Sequence, residues 1–383
     1  MPPDGLKQKI ALVFLGLLIF FAMFELAMHL VSGLNTSPPL CAFEADANNN
    51  YVLRANFETT HKTGEFEVPV KINSMGLRSN EYNQNEGSVL VAGDSLAFGW
   101  GVQENETFGS LLEKKFRSNG RAIQVINAAV PGYNTANEVD FYKRIAAKTN
   151  PCVGILALYI GNDIVDNYAP PPEVEVNPSY CLVTKAAKKE FNLLDEINKN
   201  ALSLRFFSER LKRLPIVRGL LVHAGISGKG EIQLQNQLYL RHPTVDIRQL
   251  VEPTEQAILE FKKFSELHGI KPILLILPSH TQVLGDPKNN PHIADSLALY
   301  GISPDEVDFS IPGNTFKDFG ERNGVAVIDL LPRLQKADVN RLAYPIDGHP
   351  TPYMHGIISE ELYSQLGGTA GMAGPICGNA WLR

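Results

Sequence analysis

Ser88-Val89-Leu90-Val91-Ala92-Gly93-Asp94-Ser95 is an apolar run that breaks at a glycine and ends on a hydroxyl. A short, β-branched stretch of this kind predicts a strand buried on both faces. Helical spacing resumes at about Thr107 and runs to Arg117. Ser95 therefore sits at a strand-to-helix corner, where a side chain can stand above the edge of a sheet. Open α/β sheets bind their ligands at that edge, outside the carboxyl ends of the strands.

Outward from this corner the same pattern repeats. Ile123–Ala128 reads as a second strand, followed by a helix over about 137–147. Val153–Tyr159 reads as a third, and Ile273–Leu277 as a fourth after a helix at Glu252–Leu267. A helix at Phe316–Asn323, a fifth strand at Val325–Asp329 and a last helix at Pro352–Leu366 complete the series. This alternation predicts an α/β fold with a mainly parallel five-stranded sheet covered on both faces. Before the first core strand, Glu65–Ile72 alternates and reads as an edge strand or half of a hairpin. Two connections are long: 169–249, a Pro cluster followed by amphipathic sequence, and the polar stretch His280–Pro312. Long connections in compact domains commonly serve as lids or binding loops, or simply cover a sheet edge.

The 383 residues are 44% hydrophobic, enough for a large core, and the net charge is −6. That balance excludes a nucleic-acid surface, which needs basic clusters. Neither a repeat nor a Cys/His cluster with metal-ligand spacing is present, so no metal and no organic cofactor is expected.

Ile10–Val31 is a run of 22 residues in which only Gly16, Glu25 and His29 are not clearly apolar. About 20 such residues cross a bilayer as a helix. Lys7 and Lys9 precede the run, and the first basic residue after it is Arg54. By the positive-inside rule the remainder lies outside the cytoplasm. The expected organisation is a cytoplasmic tip and transmembrane anchor at 1–32, an Asn/Ser/Pro-rich linker at 33–50, and a domain at 51–383 with a helical insertion at about 169–249. The competing reading is a cleaved signal peptide with a small-residue site at Ala45-Asp46-Ala47, although that site lies far from the apolar run. Four cysteines, Cys41, Cys152, Cys181 and Cys377, allow three pairings in an oxidising compartment. A Cys152–Cys181 bridge would brace the segment between them, and buried free thiols are the other reading.

The chemistry-bearing residues fall after the predicted strands. Ser95 follows the first strand, and Gly132 lies in Asn127-Ala128-Ala129-Val130-Pro131-Gly132-Tyr133 after the second. Gly161-Asn162-Asp163 follows the third, and Asp347-Gly348-His349 lies between the fifth strand and the last helix. An ester carbonyl under attack gathers charge on its oxygen, which fixed donors stabilise. The N–H groups of Ser95 and Gly132 and the side chain of Asn162 are candidates for that oxyanion hole. His349 is the candidate base for the Ser95 hydroxyl, with Asp347 orienting it. Each piece alone is ordinary turn chemistry. His280 reads as an exposed loop histidine, His355 as structural, and Asp94, Asp163 and Asp166 as turn-ordering or bracing groups. Phe98 and Trp100 read as core residues or as the lining of an acyl or sugar pocket.

Taken in order, these four blocks resemble the SGNH hydrolases of the GDSL type, a family of esterases, lipases and related O-acyltransferases. Similarity runs from about Asn73 to Leu366 and includes Asn73-Ser74-Met75-Gly76-Leu77-Arg78. The resemblance implies a flavodoxin-like three-layer α/β/α fold and an acyl-enzyme on Ser95. The chain departs from the family in two places. Its asparagine block reads Ile160-Gly161-Asn162-Asp163, with the glycine moved by one, and its acid lies two residues before the histidine instead of three. The function so implied is de-acylation of an ester-bearing glycan or lipid of the cell envelope, at the periplasmic side of the inner membrane. Transfer of the acyl group to an extracellular polysaccharide is the alternative, and a non-catalytic glycan-binding protein on the same fold is the second. The sequence carries no sign of oligomeric state.

Overall fold

The computed structural model of the chain describes residues 3–34, 40–185, 234–286, 288–290, 293–294, 297 and 302–367. Helix α1 (Pro3–Leu34) contains the whole apolar run. Leu12, Leu15, Ile19, Phe20 and Met23 along it are exposed. Among the described residues no helix is long and apolar enough to cross a membrane, so the expected transmembrane span is not established by the fold. α1 falls in a separate unit from residues 39–185 and 232–383, which carry the sheet.

The sheet-bearing unit opens with two antiparallel hairpins. β1 (Phe43–Asp46) pairs with β2 (Asn50–Leu53), which corrects the expected linker: from Leu40 onward the chain is part of the fold. Leu40, Ala42 and Phe43 are buried. The asparagine run that suggests a linker serves the turn, because Asp46 accepts from the N–H groups of Asn48 and Asn49, and Asn50 adopts φ 65°. Asn and Asp favour such positions through local hydrogen bonds and tolerance of the left-handed region. Cys41, just before β1, is bonded to Cys181. Of the pairings left open by the sequence, Cys152–Cys181 is therefore not formed, and Cys377 lies outside the described residues. β3 (Phe57–Lys62) and β4 (Glu67–Ile72) form the second hairpin, with Glu65 at its tip.

The central sheet takes β5 (Gly87–Ala92), β6 (Ile123–Asn127), β7 (Val153–Tyr159), β10 (Lys271–Leu277) and β11 (Ala326–Asp329). All neighbouring pairs are parallel, and the order is β11-β10-β7-β5-β6. The intervening β8 (Val174–Val176) and β9 (Leu182–Thr184) form a small separate hairpin. Counted along the chain the core strands run 2-1-3-4-5, the flavodoxin-like order. β5, β6 and all but the last residue of β7 are buried, which explains why they read as continuous apolar runs.

Crossover helices complete the layers. α2 (Ser95–Phe98) is a single turn, and α3 (Phe108–Ser118) links β5 to β6. α4 (Thr135–Thr149) links β6 to β7, and α5 (Asp163–Tyr168) follows β7. After the short α6 (Leu234–Gln237), α7 (Ile247–Leu267) leads to β10. α8 (His280–Val283) follows β10, and α9 (Ile311–Asn323) leads to β11. α10 (Leu331–Leu334) and α11 (Pro352–Gly367) end the described chain. α3 packs on β6 and α11, while α4 packs on β5, β7 and α7. Right-handed crossovers put a connection moving one way along the sheet on one face and its reverse on the other. Direction reverses between β5 and β7, and a doubly wound sheet opens a ligand crevice there.

The predicted helices and strands match within a few residues. α7 starts five residues early because the Asp246 side chain caps the Arg248 N–H. The long connection 169–249 contains the β8–β9 hairpin, and its predicted amphipathic part lies largely outside the described residues. The stretch 280–312 is less loop-like than expected. It holds α8 and a 3₁₀ turn at Pro304–Glu306, and Leu284, Val307 and Phe309 there, with Tyr239 and Leu240 from before α7, help line a cavity of about 300 Å³.

Candidate active site

Ser95 is placed by three local constraints. Gly93 follows β5 so closely against β7 that a Cβ would lie 2.6 Å from the Ala97 Cβ and 3.1 Å from that of Ala157. Asp94 then caps α2, its carboxylate accepting from the Leu96 N–H at 2.8 Å. Gly99, at φ 86°, ends the turn. A strand, a forced glycine and a one-turn helix leave Ser95 partly exposed at the sheet's carboxyl edge.

The glycine block docks onto this corner. The Val130 N–H donates to the Gly93 carbonyl at 3.0 Å, and the Asn127 side chain donates to the Ala97 carbonyl at 2.9 Å. Gly132 has φ 82°, and a Cβ there would come within 2.8 Å of the Tyr51 hydroxyl. Tyr51 in turn donates to the Pro131 carbonyl. Among the described residues neither the Ser95 nor the Gly132 N–H meets a protein acceptor, so both donors stay available.

The asparagine block explains its own departure in sequence. Ile160 is fully buried and its N–H bonds the Leu277 carbonyl, tying β7 to β10. Gly161 is required because the Tyr159 ring occupies the space where a Cβ would stand. Asn162 donates from Nδ2 to Asp166 Oδ2 at 2.9 Å. That uses one of its two amide hydrogens and leaves the other. Asp163 is buried and accepts from the Tyr159 N–H at 2.7 Å, so it braces the loop as expected.

The last block brings base and acid onto the nucleophile. His349 Nε2 lies 2.8 Å from Ser95 Oγ, and Nδ1 lies 2.6 Å from Asp347 Oδ1. The two-residue spacing works because Gly348, at φ 85°, turns the chain between them. Burial pulls the Asp347 carboxyl upward, but the His349 hydrogen bond and charge, with the Trp100 N–H, hold it below the usual aspartate range. An ionised acid beside Nδ1 leaves Nε2 free to accept the serine proton.

Behind the site lie three buried carboxyls. Burial pushes Asp94 up to about 6, against the pull of the Leu96 N–H and the His349 charge. Glu138 and Asp163 are raised well above the ordinary range, first by burial and then by the neighbouring acids. Among the described residues neither oxygen of Glu138 has a hydrogen-bond partner.

The other candidates separate cleanly. His280 is exposed at the start of α8. His355 is fully buried, accepts from the Phe108 N–H at 3.2 Å, and is pushed down to about 3 by burial and the Arg78 charge. Phe98 is core, beneath the Arg78 guanidinium. Trp100 is partly buried against the core, stacks on His349 and donates to Asp347 at 3.3 Å. Glu65 was not anticipated at all. Its carboxylate accepts from the Asp347 and Ile346 N–H groups. No local sequence signal marks a hairpin-tip glutamate as the partner of a loop 282 residues away.

Together these contacts set a hydrogen-bonded Ser95–His349–Asp347 row, the arrangement a serine nucleophile needs, at the carboxyl edge of a doubly wound 2-1-3-4-5 sheet. No protein-family model matches the chain, and no curated protein matches it. Among solved structures it is similar to the psychrotrophic esterase EstA from Pseudoalteromonas sp., with 12% identity over 73% of this chain and 96% of that one, at a TM-score of 0.36. It is also similar to a member of the lipolytic G-D-S-L family from Veillonella parvula, with 10% identity, 72% and 96% coverage and a TM-score of 0.37. A lipase/acylhydrolase from Enterococcus faecalis matches with 12% identity, 73% and 97% coverage and a TM-score of 0.35. At these scores the likenesses carry no argument about the reaction, which rests on the geometry of the site.

Proposed function

We propose that the chain is a serine esterase of the SGNH type that removes acyl groups from an ester-bearing glycan or lipid of the cell envelope. The observation that carries this reading is the unbroken relay from Asp347 through both ring nitrogens of His349 to Ser95 Oγ. Ser95 Oγ attacks the ester carbonyl while its proton passes to His349 Nε2, and Asp347 balances the resulting imidazolium. Charge collecting on the carbonyl oxygen is met by the N–H groups of Ser95 and Gly132 and the free amide hydrogen of Asn162. The alcohol leaves with the proton from His349, and water, deprotonated by the same ring, releases the acid from Ser95.

The envelope assignment rests on α1. Its exposed apolar side chains and the preceding Lys7 and Lys9 support an anchor with the sheet-bearing unit on the periplasmic side. Retention in the membrane pellet after alkaline carbonate extraction, with protease sensitivity in spheroplasts, is the expected outcome. Release of the protein by carbonate removes the anchor.

The reaction is tested on the full-length chain with p-nitrophenyl acetate. Hydrolysis by the native protein and its loss in Ser95→Ala support the reading; no release, or undiminished release by the variant, overturns it. An oligosaccharide acceptor added to the same assay distinguishes transfer from hydrolysis by the appearance of acylated sugar.

A further inference from the structure

One side chain touches two members of the relay, His349 and Asp347, without belonging to it. Trp100 lies five residues past Ser95, and its backbone N–H donates to the Ser95 carbonyl at 3.1 Å. Its ring lies 5.2 Å from the His349 ring at an interplanar angle of 27°. Its Nε1 donates to Asp347 Oδ2 at 3.3 Å, the carboxylate oxygen that His349 Nδ1 does not use. The indole is itself held in place, since the His61 ring meets it edge-on at 4.3 Å from β3. The tip of the same hairpin carries Glu65, which grips the Asp347 backbone.

We propose that Trp100 is a positioning residue of the acyl-transfer relay: its N–H fixes the second oxygen of Asp347, and its ring face steadies the imidazolium that His349 becomes. This rests on the esterase reading above. An aromatic face carries a negative quadrupole and attracts a cation within about 6 Å of its centroid. Neutral imidazole gains little from that field, whereas imidazolium is stabilised by it. The charged form arises only as the serine proton is transferred. The ring therefore favours the transition state over the resting enzyme, which raises kcat and leaves KM alone. The N–H contributes separately by keeping Asp347 in the orientation that receives Nδ1.

Two substitutions separate the contributions. Trp100→Phe keeps an aromatic face and deletes the N–H; Trp100→Leu deletes both. With p-nitrophenyl acetate, Trp100→Phe is expected to lose about tenfold in kcat, the scale of one hydrogen bond to a charged group, with KM within about twofold. Trp100→Leu is expected to lose a further two- to fivefold. Its acid limb of kcat/KM should lie at lower pH than that of Trp100→Phe, because imidazolium has lost its aromatic support. Equal kcat in the native protein and both variants, or coincident acid limbs for Phe and Leu, overturns the proposal.

A second readout needs no turnover. The chain has two tryptophans, Trp100 and Trp381. In Trp381→Phe, emission from Trp100 should fall on acidification as His349 becomes imidazolium against the ring. That fall should shrink in Trp381→Phe/His349→Gln, any remainder coming from the His61 ring on the other contact of the indole. Emission that ignores pH, or a fall undiminished by His349→Gln, removes the ring contact. A native chain without esterase activity defeats the functional reading, while the fluorescence still reports on the contact. A Ser95-dependent esterase indifferent to Trp100→Phe and Trp100→Leu defeats only the positioning role.

Discussion

Glu65 holds the backbone N–H of Asp347 at 2.6 Å from a hairpin tip, 282 residues earlier in the chain. The acid of the relay therefore has two outside anchors, this carboxylate on its backbone and Trp100 on its side chain. Glu65 also accepts from the Ile346 N–H, so a single side chain satisfies two adjacent donors of the histidine loop. Glu65→Ala should lower kcat about tenfold, in line with losing a hydrogen bond to a charged group, and lower Tm by only a few degrees. Steady-state kinetics beside a thermal melt measures both; a large Tm loss with unchanged kcat would make Glu65 a purely structural residue.

Asp347→Asn should cost far more than Glu65→Ala. An amide in place of the carboxylate favours the wrong tautomer of His349 and leaves the imidazolium unbalanced, which in a serine protease costs about 10⁴ in kcat. His349→Ala should be at least as damaging, whereas His280→Ala, an exposed residue, should keep near-native kcat. Comparable losses at the two histidines would undo the choice of base.

Asn162→Ala tests the oxyanion hole. Loss of one donor of this kind costs about 10²–10³ in turnover. KM should change little, since the ground-state carbonyl oxygen carries little charge to stabilise. A change confined to KM would mean that Asn162 binds substrate and does not stabilise the developing charge.

The buried carboxyls predict how stability responds to pH. Glu138 keeps its proton in the folded chain well above its ordinary value of 4.5, whereas the unfolded chain releases it near that value. Between the two values the folded state binds more protons, so stability falls as pH rises. Glu138→Gln has no proton to hold and should flatten that slope. Thermal melts should show little difference between native and variant near pH 4 and a variant Tm higher by a few degrees at pH 8. Parallel Tm profiles from pH 4 to 8 would show that Glu138 does not carry the slope.

The Cys41–Cys181 bridge closes 140 residues of sequence, and disulfides typically contribute about 2–4 kcal/mol. Cys41→Ala/Cys181→Ala should lower Tm measurably under oxidising conditions, and the gap to the native melt should close when reductant is added to both. A chain cut between Ala45 and Ala47 would lose Cys41 and most of β1, and should be destabilised at least as much. Equal stability of that shortened chain would restore the signal-peptide reading.

The five core strands and the order of the four chemical blocks were legible from residue patterns alone. Strands buried on both faces must be apolar throughout, and loops at one sheet edge must turn on glycine, so Val89–Ala92 and Gly93 announce themselves. Side-chain types sufficed to nominate Ser95, His349 and Asp347. Whether an acid two residues from its histidine can reach Nδ1 depended on the positive φ of Gly348, a backbone angle set by the surrounding loop. The pairing of Cys41 with Cys181, the folding of 40–50 into a hairpin, and the grip of Glu65 and Trp100 on Asp347 were decided by the tertiary structure. Each joins segments far apart in the chain, and such contacts leave no local periodicity, because they arise only when the sheet brings distant loops to one edge. What one sequence determines is the chemistry at each corner; packing determines which corners meet.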